Sequence, residues 1–593
     1  MPRVLPAFAL LAAGGLVLGT VASCHRVAAP RGPQRLLALE PEPVASPGAR
    51  PQIIELETEG RAKRKALTTS ARFRLAVPKK ALLVFSLGAP ATNEEEARGF
   101  FHVAARLDGK PVGERRINVR TERGFRPTSL SFEGPGRAAQ LELQLSLRAG
   151  SGEDRPIPPG LTLAVADPML LDRATLADRR GVVLISVDTL RRDHVGLYGY
   201  PKPTTPRLDA LAEEGTVYED AVSVSSWTLP AHFTMMTSVE PAAHGAVDSK
   251  HGFNHRVPTL GRLLRDAGYV THAITSHLYV SKEYGFDDGF DGLDYAYDRK
   301  GKEVADRALT FLDGVDERPF FLFLHLYDPH WHYDPPKDLL RIFEPEPYTG
   351  EITGNWWKLK FWTRDTTKPA DLAHLLALYD GEIRYADGQV ARVLDRLQER
   401  GLDQSTLVVF TSDHGEEFLE HGAWEHQRTL YEEQIRIPLV LRGPGIPKGR
   451  RETAQVSHFD LAPTILDWAG LPPLPTQRGR SLLKPLEYRQ AYGETDHGVD
   501  DTRKLFFRDG QASSKVILTY DRKTEELKQE EWFDLKADPN ERGSTPPPAS
   551  ATARIKASLL DRWHSAHRQG QGGPPVDLTP EQIEQLRALG YIQ

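Results

Sequence analysis

Hydrophobic and polar positions follow two rhythms along this chain, and the rhythm changes near residue 180. Between residues 51 and 172 apolar side chains recur at every second position in short runs. These are IIELET (53–58), ARFRLAV (71–77), ALLVFSL (81–87), FFHVAARL (100–107), RRINVRT (115–121), LELQLSL (141–147) and LTLAVADP (161–168). Alternation of this kind places one apolar face on each strand. Turn residues such as Asp108-Gly109 and Gly134-Pro135-Gly136 separate the runs. Short strands with regular turn signals predict an N-terminal β-sandwich over 51–172. No cluster of ligating side chains lies in it, so it reads as a spacer or as a sugar-binding module.

From Gly181 the runs become continuously apolar: GVVLISVD (181–188), YVTHAIT (269–275), FFLFLHL (320–326), TLVVFTS (406–412) and IPLVL (437–441). Such strands are covered on both faces. Helical rhythm fills the intervals. In the segment 380–401, Ile383, Val390, Val393, Leu394 and Leu397 share one face, and Gly401 then ends the helix. The pattern predicts an α/β fold over 178–489, with a doubly wound, open and mostly parallel sheet. KLFFRD (504–509), KVILTY (515–520) and EEWFDL (530–535) predict a small C-terminal antiparallel subdomain within 490–545. A helical tail is expected over 546–593. There Thr579, Pro580 and Gln582 spell an N-terminal capping box and Gly590 a stop.

Composition narrows the function. The 593 residues carry a formal net charge of −6, without the basic footprint of a nucleic-acid binder. Residues 1–23 place an apolar run behind Arg3, the form of a removable targeting segment. Cys24 is the only cysteine and follows Val21-Ala22-Ser23. This resembles the lipobox of bacterial lipoproteins. The resemblance implies a signal peptide over 1–23, a lipid on Cys24, and a protein held to a membrane of the bacterial cell envelope, facing periplasm or exterior. An anchor of another kind is the alternative. Residues 24–50, rich in Pro, Ala and Arg, read as a flexible tether.

Candidate chemistry gathers at the strand ends, where sites of open α/β sheets lie. Asp188 and the pair Asp413-His414 both stand there, far apart in sequence. Two carboxylates and an imidazole are a ligand set for a divalent ion, with Zn²⁺ or Mn²⁺ favoured over Ca²⁺. Thr228, in SWTLPAHFTMMTS (226–238), precedes a proline suited to a helix start. It is either a helix N-cap or a hydroxyl nucleophile activated by metal coordination. His325, Asp328, His330 and His332 crowd the segment HLYDPHWHYDPP (325–336), and His421 and His426 follow Asp413-His414. Each of these histidines is a structural one or an acid–base group. Asp328, His330 and His332 are also candidates for a second ion. Trp356, Trp357 and Trp362, between lysines in GNWWKLKFWTRD (354–365), form a lid or pack locally.

The ordered motifs resemble the sulfatase branch of the alkaline phosphatase superfamily. They are LISVDTLRRDHVGLYGY, the Thr228 segment, FFLFLHLYDPHWHYDPP, TSDHGEEFLEHG, TLYEEQIRIPLVLRGPG and WFDLKADPNE, together spanning roughly 178–540. The resemblance implies an alkaline-phosphatase-like fold and a metal-dependent ester hydrolase. Its cation would be shared by Asp188, Thr228, Asp413 and His414, with His330 and His426 facing the substrate. The chain also departs from the family pattern. Sulfatases carry Cys or Ser in C/S-x-P-x-R, oxidised to formylglycine, whereas this chain reads Thr228-Leu229-Pro230-Ala231-His232. Thr189 replaces an aspartate, His414 an asparagine, His426 a lysine and His232 the motif arginine. These departures resemble the Thr-nucleophile relatives. They imply an enzyme that cleaves phosphate, or sulfate, esters of small molecules, glycans or lipids. A phosphoethanolamine- or glycerol-phosphate-type transferase and a non-catalytic binding protein are the alternatives.

Overall fold

The computed structural model describes residues 34–36, 39, 42–43, 53–57, 63–88, 100–118, 126–149, 151–155, 164–176, 180–354, 366–486, 490–496, 501–545, 549–570 and 573–588. The signal segment with Cys24, most of the tether, and Trp356, Trp357 and Trp362 lie outside the described residues; where residues 24–50 are described they are not a free tether, since Gln34–Arg35 and Glu42–Pro43 pair into the N-terminal sheets. Among the described residues no helix is long and apolar enough to cross a membrane.

Two antiparallel sheets form the N-terminal part. One runs Ile53–Glu57, Lys63–Leu67, Ala164–Asp172, Lys80–Gly88, Arg126–Glu133, with Gln34–Arg35 pairing Ala164–Asp172. The other runs Glu42–Pro43, Ala71–Val77, Arg137–Arg148, Phe100–Leu107, Lys110–Asn118, with Asp154–Arg155 pairing Arg137–Arg148. Phe73, Leu83, Phe85, Phe101, Leu141 and Leu143 belong to one buried cluster contributed by both sheets. The strand Arg126–Glu133 was not anticipated, because only Leu130 and Phe132 mark its buried face. This part touches the next unit through polar contacts. The Ser129 hydroxyl donates to Asp316 (3.1 Å), Arg173 to Glu317 (3.0 Å), and Arg35 pairs with Asp266 (2.9 Å).

The central sheet has eight strands. In chain order they are β1 (Gly181–Val187), β2 (Thr216–Tyr218), β3 (Val270–Thr275), β4 (Gly292–Tyr295), β5 (Phe320–Leu326), β6 (Thr406–Ser412), β7 (Leu439–Arg442) and β8 (Arg450–Glu452). Their spatial order is β4-β3-β5-β1-β6-β7-β2-β8. The five strands from β4 to β6 are mutually parallel, and β7 runs antiparallel to both β6 and β2. Each of β1, β5 and β6 is buried at every position, as their unbroken apolar runs require. The run IPLVL divides into Arg436–Ile437, which pairs in a separate small sheet, and β7, with Pro438 interrupting.

Helix α1 (Thr228–Thr237) is buried along its whole length. The long helix α2 (Pro369–Glu399) begins well before the periodic segment that predicted it, at a proline in the first turn. It buries Ile383, Val390, Val393 and Leu397, and Gly401 follows with φ 61°.

The C-terminal sheet has one strand more than the three runs predicted. It is β9 (Gln490–Thr495), β10 (Thr502–Asp509), β11 (Ser514–Asp521) and β12 (Leu527–Asp534), antiparallel in that order. Strand β9 docks on the segment leading into α1: the Glu494 N–H donates to the Val224 carbonyl (2.8 Å). The Thr495 hydroxyl donates to the Gln427 carbonyl (2.6 Å). Gly493 makes the approach possible, because a Cβ there would collide with the Val224 carbonyl and the Phe506 ring. The tail holds helix Ala549–Gly570, then Pro580–Ala588, whose Thr579 and Gln582 form the expected reciprocal cap.

Candidate active site

The site is built at the carboxyl ends of the parallel strands. The ligand segments are strand ends running into loops. Strand β1 delivers Asp188, and the neighbouring β6 delivers Asp413 and His414. All three are fully buried. Helix α1 begins at Thr228, and Trp227, not Thr228, holds the cap position. The threonine side chain is thereby available to the site. Its Oγ1 lies 3.4 Å from His414 Nε2. His414 Nε2 is in turn 3.3 Å from Asp413 Oδ2 and 3.7 Å from Asp188 Oδ1.

The hydrogen bonds around these atoms fix their roles. A backbone carbonyl only accepts, so the 2.9 Å contact of His414 Nδ1 with the Gly415 carbonyl puts the ring proton on Nδ1. Nε2 then presents a lone pair toward the carboxylates. Asp413 Oδ1 accepts the N–H groups of Thr189 (3.2 Å) and His414 (2.9 Å), whereas Asp413 Oδ2 and Asp188 Oδ1 have no hydrogen-bond partner. Burial pushes the pKa of both aspartates up, and for Asp413 the Asp188 charge adds to that. Two unpartnered buried carboxylate oxygens beside an imidazole lone pair are costly unless a cation sits among them. Ligand atoms of Asp188, Asp413 and His414 lie within 4.8 Å of one another, so the set fits one divalent ion.

The turn that carries Asp188 is strained. Thr189 has φ 54°, an unusual value for a β-branched residue. Tyr379 of α2 holds it: its hydroxyl donates to the Thr189 carbonyl (2.6 Å) and accepts the Arg191 N–H (3.0 Å).

Three histidines surround Thr228 and the ligand cluster. His426 Nδ1 is 3.0 Å from Glu416 Oε1, and its ring lies 4.4 Å from that of His414. Burial works to lower the His426 pKa, but the Glu416, Asp188 and Asp413 carboxylates together outweigh it and the pKa is raised. His330 stacks on Tyr327 (4.4 Å) and stands 5.1 Å from His426. Its Nδ1 donates to the Trp331 carbonyl (2.8 Å), and burial pushes its pKa well down. His277 accepts the Tyr279 N–H at Nδ1 (3.1 Å), so its proton sits on Nε2. Its ring lies 6.1 Å from that of His330. His277 and Glu416 were missed in the sequence. The signal for His277 was present, since it stands just past the end of β3, the position that singled out Asp188.

The remaining candidates have other partners, although His232 Nδ1 also stands 3.7 Å from Asp413 Oδ2. His232 lies one turn along α1, with Nδ1 2.8 Å from the Thr228 carbonyl and Nε2 3.0 Å from Ser186 Oγ. Both its nitrogens have protein partners. Asp328 Oδ2 accepts the Gly301 N–H (2.7 Å), and Lys300 approaches Oδ1 at 3.7 Å. His332 is exposed. Among the described residues neither Asp328, His330 nor His332 belongs to a group able to hold a cation. His421 pairs with Glu433 (2.7 Å) and stacks on Tyr431 (3.6 Å), in the wall under the C-terminal sheet.

Comparison with known proteins agrees with this geometry. The family model described as Sulfatase matches residues 180–471, and that of N-sulphoglucosamine sulphohydrolase, C-terminal, matches 419–568. An N-acetylglucosamine-6-O-sulfatase of Bacteroides thetaiotaomicron is 26% identical over 460 residues, covering 61% of this chain and 82% of the relative. A solved complex with D-glucosamine-2-N,6-O-disulfate superposes with TM-score 0.55 at 23% identity, over 68% of this chain and 100% of the other. The phosphonate monoester hydrolase of Agrobacterium radiobacter superposes with TM-score 0.53 at 20% identity, over 68% and 100%. At those identities the two structures show a shared fold. The unit spanning residues 180–471 belongs to the sulfatase family of the alkaline-phosphatase-like superfamily, and the protein is an ester hydrolase.

Proposed function

We propose that the protein hydrolyses monoanionic esters, a sulfate monoester or a phosphodiester of a glycan, lipid or small molecule, with Thr228 as its nucleophile. The observation that carries this reading is the Thr228 hydroxyl 3.4 Å from His414 Nε2, beside two unpartnered carboxylate oxygens. Threonine bears a methyl group on Cβ and cannot be oxidised to formylglycine without losing a carbon. Asp188, Asp413 and His414 would hold a divalent cation, with Zn²⁺ or Mn²⁺ favoured by the imidazole. When bound, that ion supplies the charge that acidifies a hydroxyl and neutralises an ester oxygen.

The chain's own groups do the rest. Thr228, its hydroxyl proton released to solvent, attacks the phosphorus or sulfur in line from the positive end of α1. His277 Nε2–H donates to a nonbridging oxygen. His426, its other nitrogen held by Glu416, gives a proton to the departing alcohol. It then takes one from the water that cleaves the threonine ester. Charge argues for a monoanion. Two carboxylates balance a divalent ion, Glu416 balances a His426 imidazolium, and Arg191 is turned to Asp193 (2.8 Å) and Glu420 (2.6 Å). A lipid-bearing Cys24 would place this chemistry at an envelope membrane, a reading supported by the composition of residues 1–24 alone.

Aryl sulfate, bis-aryl phosphate and aryl phosphate monoester should be assayed in parallel. The two monoanions are expected to turn over faster than the dianionic monoester. Thr228→Ala should lower kcat by about 10³-fold or more while retaining bound metal. Wild-type turnover by that variant would end the nucleophile assignment.

A further inference from the structure

His325 is wholly buried at the carboxyl end of β5 and is not among the groups assigned a chemical role above. Strand β5 runs parallel to β1 with His325 opposite Ser186, so the imidazole lies beside the end of the strand that delivers Asp188. Its Nε2 is 3.1 Å from Asp188 Oδ2. Its Nδ1 is 3.1 Å from the hydroxyl of Ser276, the residue just past β3. A carboxylate only accepts, so with Asp188 ionised the ring proton is on Nε2. The Ser276 hydroxyl donates its proton to the His325 carbonyl (2.8 Å), so Ser276 braces the end of β5 while its oxygen faces Nδ1. Ser276, His325 and Asp188 thus form one line across three adjacent strands. That line occupies Oδ2 and leaves Oδ1, 3.7 Å from His414 Nε2, for another partner.

We propose that His325 is a positioning residue for the cation ligand Asp188, held in place by Ser276. The proposal rests on the metal-dependent reading of the site. Imidazoles that hold a ligating carboxylate orient it and so strengthen ion binding. His232, whose ring meets His325 edge-on at 4.9 Å, packs the outer side of the line. His232, His325 and Asp413 are close enough to suggest a second ion site. However, His232 is engaged by Thr228 and Ser186, and His325 by Ser276 and Asp188. The four nitrogens therefore already have partners, and the pair acts as a support for one ion.

The test is metal affinity in the full chain, stripped with a chelator and titrated with Zn²⁺ or Mn²⁺ against a chromophoric competitor. His325→Phe keeps a ring but loses the donor, and should weaken binding by about 10–100-fold. His325→Gln places an amide N–H near the position of Nε2 and should bind much more tightly than His325→Phe. Ser276→Ala leaves the ring unsupported and should fall between them. His325→Phe binding like wild type would overturn the proposal, as would His325→Gln losing as much affinity as His325→Phe. Should His325→Phe not fold, Ser276→Ala with unchanged affinity has the same force. A wild-type protein that binds neither ion would instead remove the metal-dependent reading beneath the proposal.

Discussion

As the proposed nucleophile, Thr228 would gain its chemistry from its neighbours, because a threonine hydroxyl is a weak nucleophile at neutral pH. Thr228→Ser keeps the oxygen and should retain turnover within about 100-fold of wild type. Asp413→Ala removes a ligand along with the acceptor for two N–H groups and should lose turnover and bound metal together. Paired kcat and metal-content measurements separate these outcomes. Turnover by Asp413→Ala at the wild-type rate would contradict the ligand assignment. Asp188, Thr228, Asp413 and His414 were legible in the sequence because each ends an apolar strand or opens a helix. Which histidines meet them was legible only for His426, and only through the family resemblance. His325 stands at the end of strand β5 while His277 and His426 stand on separate loops, and only the strand order brings them together. Glu416 was hidden for another reason. In DHGEEF nothing separates the glutamate that meets His426 from Glu417, which accepts the N–H groups of His421 and Ala423.

Each element does more than its periodicity announces. The central strands were readable because burial on both faces demands unbroken apolar runs. The start of α2 was not, since Leu375, Leu378 and Tyr379 precede the periodic segment and are themselves buried. That early part contributes Tyr379, which braces the strained turn at Thr189. Strand β9 escaped prediction because QAYGET has little alternation, yet it is the strand that contacts both active-site loops. Gly493→Ala should therefore force β9 away from Val224 at a cost of about 1–3 kcal/mol. It should also lower kcat, although residue 493 touches no reacting group. Chemical denaturation and initial rates on one preparation check both effects. Unchanged stability would mean that the strand contact yields freely.

For the whole molecule, the proposed metal-dependent site links ion binding to folding. A cation that binds only the folded chain adds about 2.7 kcal/mol at 100 times its Kd, so stripping should lower Tm and readdition restore it. A scan showing the same Tm with and without chelator would contradict an ion held by two buried carboxylates. Protonation links the units as well. His421 Nε2 also meets the Glu541 carbonyl (3.2 Å). Burial works to lower its pKa, but Glu433 outweighs this and raises it to about 9. A histidine raised in the folded state stabilises fully below its unfolded pKa, about 6.5, and loses that contribution as pH rises through about 9. Tm should accordingly fall between pH 7 and 9.5, and fall less in His421→Gln; equal slopes would show that this pair is not the cause.

The hold of β9 on the loops at Val224 and Gln427 has a temporal consequence. Chains emerge from the ribosome N-terminal end first. Thr228 is made early, but the strand that docks beside its segment follows some 260 residues later, at about 5–20 residues per second. For that interval the nascent protein carries the Thr228 hydroxyl without the strand that holds the neighbouring backbone in place.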